Sequence, residues 1–281
     1  MNLVERTINY VANKDWAINV EWGITQLSKS LMAMSSDAPK DALTILKEET
    51  LSQSISTVNF KNRYGDNSYN IKEISFTGVM MLEGGLCSYG INDVTKLLYN
   101  AYNDPNVSAI LLTMDSGGGD PLAGSELNQA LKDRTIPVVA RVHTCASACY
   151  MGVLNADEII GSGIYSNIGS IGAFVSINAE FLKEYSEKIL DIYAAQSGDK
   201  NKAFRDLIKG DFSEIQKSVD NLAQIFQKDV SKLRQLNDKY TDTLNGGIWK
   251  AEEAKKRGLI DSIGSKNYAI KRLINYLNNK I

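Results

Sequence analysis

"IPVVARVHTCASACYMG", residues 136–152, decides how this chain is read. Its first seven residues, apolar apart from Arg141, are of strand length, as expected of a buried strand. The run gives way to small residues, and Ser147–Asn155 reads as a turn entering a helix. The same alternation recurs upstream. "VSAILLTM" (107–114) is a second buried strand, "DSGGGDPLAG" (115–124) the turn after it, and "SELNQALKD" (125–133) the next helix. "IKEISFTGVMML" (71–82) is a strand, and "NDVTKLLYNAYND" (92–104) a helix with Asn92 as its N-cap. Downstream, "EIIG" and "GAFVSI" are short strands. Strand and helix in this order imply βαβ units, hence an α/β fold with a mainly parallel sheet covered by helices.

Composition bounds the rest. The chain has 281 residues, 43% hydrophobic and 23% charged, enough for one sizeable core. A net charge of −2 gives no basic field for a nucleic acid partner. Three cysteines form no CxxC pair, and Cys145 and Cys149 with only His143 nearby are thin for zinc. A reduced compartment, no metal and no cofactor are expected. No apolar run near the start suits a signal peptide or membrane span, so a soluble, cytoplasmic protein without an anchor is expected. Residues 1–40 read as an amphipathic helical segment anchored by Trp16, Trp22, Leu27 and Leu31. Residues 41–70 read as a linker or mobile loop, and 71–281 as the main domain. Ile215, Val219, Leu222, Phe226, Val230 and Leu233 recur every three or four residues and predict one long helix, 213–238. Its stripe is a packing face, in the core or between subunits.

Residues 143–152 admit three nucleophilic chemistries, beside a plainer role in which small residues let a helix approach a strand. Ser147 falls where strand passes into helix. Reacting groups of parallel sheets gather at the C-terminal ends of strands, and a hydroxyl there meets the positive end of a helix dipole. The preceding strand ends in Gly117, Gly118 and Gly119. Consecutive glycines let N–H groups turn inward with no Cβ in the way, as an oxyanion hole requires. A flexible turn explains one glycine more easily than three. A serine also needs a base. His143, the only histidine, reaches Ser147 or Cys145 only if the turn folds back sharply, so a packed strand residue is the simpler role for it. Cys145 and Cys149 read more simply as small buried hydrophobes. The remaining base is a lysine whose charge is disfavoured by burial, and composition does not choose among the lysines.

Five stretches occur in a telling order: "DSGGG" (115–119), "CASACYMG" (145–152), "ADEIIG" with "IGSIGAFV" (156–175), "YAAQSGDKNKAFRDL" (193–207) and "WKAEEAKKRGLIDSIGS" (249–265). Together, residues 71–275 resemble the signal peptide peptidase A family of Ser–Lys peptidases, on the Clp/crotonase-like fold of repeated ββα and βαβ units. The resemblance implies a hydrolase in which Ser147 is the nucleophile and Ser170 hydrogen-bonds a catalytic lysine. Gly118, Gly119 and Ala148 then supply the oxyanion and substrate-binding backbone. An ungapped match from Ser197–Gly198 lands on Asn201, between Lys200 and Lys202. Lys200 is preferred because phage-type relatives read S-x-x-K-N there, and Lys202 is the runner-up. Departures lie beside the nucleophile: Ala148 and Cys149 replace two glycines, and Gly117 replaces a proline. No histidine follows residue 143, which excludes a Clp-type triad.

Within the family, "WAINVEWGITQL" (16–27) resembles the opening of the phage head maturation, or prohead, proteases, with Val20 where proline is usual. The resemblance implies a serine endopeptidase acting on capsid or scaffold polypeptides, in the host cytoplasm or the procapsid. It also implies a homo-oligomer, because relatives form closed rings. The chain ends soon after the closing motif, so any scaffold is expected on a separate chain. The alternatives are a bacterial soluble signal-peptide-peptidase-like protease, a non-catalytic capsid-assembly protein, and a crotonase-like acyl-CoA enzyme using Asp115 and Asp120.

Overall fold

The computed structural model describes residues 17–18, 51–52, 54–61, 68–84 and 89–279. Its elements are β1 (Ala17–Ile18), β2 (Ile55–Lys61), β3 (Ser68–Thr77), α1 (Ile91–Asn103), β4 (Ala109–Ser116), β5 (Gly118–Gly119), α2 (Pro121–Lys132), β6 (Val138–Ala146), α3 (Ala148–Val153), β7 (Glu158–Gly161), β8 (Asn167–Gly169), α4 (Ala179–Lys188), α5 (Lys202–Ile208), α6 (Ser213–Leu233), β9 (Ile248–Lys250), α7 (Ala251–Lys256), β10 (Ser262–Ile263) and α8 (Lys266–Asn278). The main sheet runs β10-β7-β6-β4-β3-β2, with β8 beside β6 and β9 beside β8. Its pairs are parallel except β2–β3 and β8–β9.

Alternation of side chains builds both faces. Along β4, Ile110, Leu112 and Met114 enter the larger core, shared with α1, α2 and α3. Ala109 and Leu111 point the other way, onto Ala269, Ile270 and Leu273 of α8. Both sets are fully buried, as the continuous apolar run of this strand anticipates.

Several expected boundaries move for local reasons. The N-cap of α1 is Gly90 rather than Asn92: Gly90 N–H donates to the Asp93 carboxylate at 3.0 Å, and Asn92 sits in the first turn bonding Glu83. Helix α2 starts four residues earlier than its apolar pattern, because Asp120 caps Leu122 N–H at 3.0 Å and Pro121 occupies the first helical position. "GAFVSI" is not a strand. The extended segment is β8, and the chain turns at Gly169 and Ser170, whose φ values are 127° and 53°. Residues 55–61 and 68–70, expected in a linker, are sheet: β2 pairs antiparallel with β3 from Ile55↔Ile74 to Lys61↔Ser68. Apart from residues 51, 52 and 54, the rest of 41–70 lies outside the described residues, as does nearly all of the expected helical segment 1–40. Ala17–Ile18, described within that segment, is strand. Helix α6 ends at Leu233 rather than 238, with Arg234 turning extended, and of its stripe only Phe226 and Val230 are buried.

The closing motif secures the far side of the core. Ala251, Ala254, Leu259 and Ile260 are buried. Gly258 adopts φ 85°, the left-handed conformation that ends α7. Asp261 accepts Ile159 N–H at 2.7 Å and pairs with Arg234 at 2.8 Å. The buried Tyr150 hydroxyl of α3 donates to Leu259 O at 2.7 Å, tying the helix after Ser147 to this motif. Tyr150→Phe leaves that carbonyl unpaired in the core and should cost about 1–3 kcal/mol. The expected result is a lower urea midpoint with an unchanged slope.

Candidate active site

The site begins with an irregularity in the sheet. The β4–β6 ladder runs in register from Ile110↔Val138 to Met114↔Val142 and then resumes at Ser116↔Cys145, so β6 carries one extra residue. Such a bulge leaves a ladder N–H without its rung and re-aims the residues beyond it. Asp115 fills the gap, its carboxylate accepting Thr144 N–H at 3.1 Å. Beyond the bulge Cys145 faces the core, and the chain reaches Ser147 at the start of α3.

Ser147 has φ 56° and ψ −124°, a conformation L residues rarely adopt. Backbone strain of this kind costs of order 1–3 kcal/mol and persists only where surroundings over-determine it. Here Ser147 N–H donates to Gly169 O at 2.8 Å and Met151 N–H to Ser147 O at 3.0 Å. Every residue of α3 is buried. The Ser147 side chain is left without any hydrogen-bond partner among the described residues, and the residue is 1% exposed. A serine on a sharp, left-handed strand-to-helix turn is the arrangement that presents a hydroxyl for attack. Ser147 N–H is committed to Gly169, whereas Ala148 N–H opens the helix with no intrahelical acceptor.

The glycine segment is built by three clamps. Ser116 Oγ donates to Gly78 O at 2.7 Å and accepts Gly118 N–H at 3.1 Å. Met80 N–H donates to Gly118 O at 2.9 Å, and Asp120 N–H returns to Met80 O at 2.8 Å. Gly119 has φ 154°, and a Cβ on it would collide with the Met80 backbone, so glycine is required. Gly118 N–H is therefore occupied, and Gly119 carries the N–H turned away from Met80. Asp115 and Asp120 both have structural duties, a bulge patch and a helix cap, which weighs against the acyl-CoA alternative.

The other expected residues fall into two groups. Ser170 is brought near Ser147: Ala146 pairs with Gly169, so Ser147 and Ser170 each lie one residue beyond that rung, and Ser170 N–H donates to Gly247 O at 2.6 Å. The lysines are not. Lys200 is exposed, and no hydrogen bond or ion pair joins it to Ser147 among the described residues. Lys202 is exposed and paired with Asp206 at 2.6 Å, a hydrogen bond that raises its pKa and favours its charged form. His143 stays on the strand and turns to Ser162, with Nδ1 to Oγ at 2.7 Å. Sequence reasoning missed Gly124 and Gly152. A Cβ on Gly124 would press on the Ala148 backbone, and one on Gly152 on Leu127, so these glycines set how closely α2 and α3 pack.

Cys145 and Cys149 are fully buried with Sγ atoms 3.5 Å apart. Burial pushes the Cys145 thiol well above its ordinary pKa, and Cys149 adds to the effect. Both should resist iodoacetamide in the native protein at mildly alkaline pH and react on denaturation, read site by site by mass spectrometry. Rapid native alkylation of Cys145 would restore it as a candidate nucleophile.

A mainly parallel α/β domain with a strained serine at a strand-to-helix turn, beside a glycine strand edge, defines a hydrolase-like class of site. The chain belongs to peptidase family S49, whose profile matches residues 130–279. It is 30% identical over 184 residues to a protein of Methanocaldococcus jannaschii named as a protease, covering 63% of this chain and 59% of that protein. It is 28% identical over 200 residues to Protease 4 of Haemophilus influenzae, covering 68% of this chain and 32% of that protein. The chain thus spans less than two thirds of either relative. Among solved structures it is similar to a ClpP1 variant of Listeria monocytogenes, with TM-score 0.45 and 15% identity over 70% of this chain and 93% of that one.

Proposed function

We propose that this chain is a serine endopeptidase in which Ser147 attacks the peptide carbonyl. The observation that carries this is the left-handed Ser147, held at the start of α3 beside the Gly118–Gly119 edge with its hydroxyl free of any partner among the described residues. A neutral lysine takes the Ser147 proton, and Oγ bonds to the carbonyl carbon. Ala148 N–H and Gly119 N–H hold the oxyanion, with Gly118 aligning the segment. The leaving amine takes the proton from the lysine, and water then cleaves the ester with the lysine again as base. Family membership supports peptide-bond hydrolysis, and the likeness of residues 16–27 to the head maturation branch supports capsid or scaffold polypeptides as substrates. The M. jannaschii and H. influenzae relatives equally suit a cellular protease of this family.

The ion pair of Lys202 supports Lys200 as the base. Lys200 belongs to a segment that lacks a core of its own. Helix α4 buries no residue, and Leu190 and Ile192 are 86% and 90% exposed. Apolar surface of this kind is ordinarily covered by a partner, which supports a homo-oligomer in which Lys200 of one copy serves Ser147 of another. Ser170 would orient the incoming amine.

Ser147→Ala and Lys200→Met should each lower cleavage of a denatured protein substrate by roughly a thousandfold or more, while Lys202→Ala and His143→Ala should keep most of it. Mixing the two inactive variants under subunit exchange should restore activity, because mixed oligomers contain intact pairs. The rate should rise from neutral toward alkaline pH, since only an uncharged amine accepts a proton. Full cleavage by Ser147→Ala would overturn Ser147 as the nucleophile. Inactive mixtures of an exchanging oligomer would place the base within one chain. Mass spectrometry of capsid and scaffold proteins incubated with the enzyme tests the substrate assignment.

A further inference from the structure

Gly118–Gly119 is a strand with two edges. On one lies Met80, which bonds Gly118 O and accepts from Asp120 N–H. In a pleated strand the N–H and C=O of successive residues point to opposite sides. The polar groups of Gly119 therefore face the second edge. There β1 pairs antiparallel, with Ala17 opposite Gly119 and Ile18 opposite Gly118. This edge adjoins the nucleophile: Ser116 lies opposite Cys145 in the ladder, so Gly118 and Ser147 are each two residues beyond that rung.

We infer that the second edge of β5 is a polypeptide-binding site and that residues 17–18 of the chain itself are its resident occupant. An extended substrate adds to Gly119 through the same antiparallel backbone bonds and must displace β1 to do so. The inference rests on the peptidase reading and adds to it a self-occupied cleft. It also names the substrate class: an extended segment with a free N–H at the position that meets Gly119, which excludes proline there. Only backbone atoms are used, so the pairing itself imposes no further side-chain preference. Among the described residues β1 spans two, and a longer strand that pairs over more rungs would displace it. Whether Gly119 N–H binds the substrate strand or the oxyanion, β1 occupies it, and the cleft is open only when β1 has left.

Ala17→Pro removes the N–H that pairs with Gly119 and leaves the domain intact. In the full chain, a fluorophosphonate probe should label Ser147 about two- to tenfold faster in Ala17→Pro than in wild type, the worth of one backbone hydrogen bond, with Ser147→Ala as the blank. Deuterium uptake at residues 116–120 should rise in the same variant, a readout independent of chemistry. Labelling of wild type together with unchanged rate and uptake in Ala17→Pro would overturn the self-occupied cleft and leave the peptidase reading standing. No labelling of any chain, with no cleavage, would overturn the peptidase reading and this inference with it.

Discussion

The left-handed backbone at Ser147 is the constraint on which the rest of the site depends. An extended residue there would continue β6 and carry the hydroxyl into the sheet, and a right-handed helical one would fold it back against α3. The φ of 56° breaks both patterns within one residue. Its cost, of order 1–3 kcal/mol, is offset by what surrounds it. Two backbone hydrogen bonds fix the peptide groups on either side, each worth about 1 kcal/mol net. The buried α3 then locks the exit direction, since turning Ser147 back would drag Cys149, Tyr150 and Val153 out of the core. The Tyr150 bond to Leu259 carries the same constraint across to residues 249–265. A motif more than a hundred residues away in sequence thereby helps hold the serine.

The glycine strand obeys a second, complementary rule. A segment that must offer N–H groups to a ligand has to satisfy its other polar groups internally. Ser116 and Met80 do this from one side, taking Gly118 N–H and Gly118 O. Close approach to Met80 is what excludes a side chain at Gly119. The polar groups of Gly119 are left for the other side. The same clamps that make the strand rigid therefore also decide which glycine presents its polar groups away from Met80.

Much of this is legible in the sequence. The run Ala109–Met114 could bury both faces only inside a covered parallel sheet, and it does. Ser147 at a strand-to-helix junction followed from apolar residues giving way to small ones. On its strand His143 lies beside Ser162, because four residues along a strand do not bring its side chain to Ser147. What was hidden came from tertiary compensation. The bulge at His143–Thr144 is invisible in sequence because nothing in those residues marks it, and its patch, Asp115, lies on another strand. Residues 55–61 looked like a loop because an edge strand half-open to water carries Ser, Thr and Asn between its apolar positions. Helix α6 stops short of residue 238 because Arg234 turns away to meet Asp261, which lies far along the chain. The lysine register stayed ambiguous because Lys200 and Lys202 stand two apart beside one helix start, and only the Asp206 pairing separates them.

The division of labour between core and exposed segment has a physical logic. A nucleophile must hold a strained geometry to fractions of an ångström, so on the proposed reading Ser147 lies where one belongs, with packing dense and compensation plentiful. A base that works by losing a charge has a different need. A lysine buried for good beside an unoccupied serine would hold an uncompensated charge in the folded chain, at a cost of several kcal/mol. Lys200 lies exposed on a segment with little core, and on the proposed reading it would remain solvated until an assembly partner covers it. On the proposed reading, desolvation and catalytic competence then arrive together, and the isolated chain keeps an exposed amine, a shielded serine and a strand edge already paired with Ala17. On that reading each of these would withhold activity by a different means, one by distance, one by protonation and one by occupancy, and assembly with substrate would remove all three at the same place.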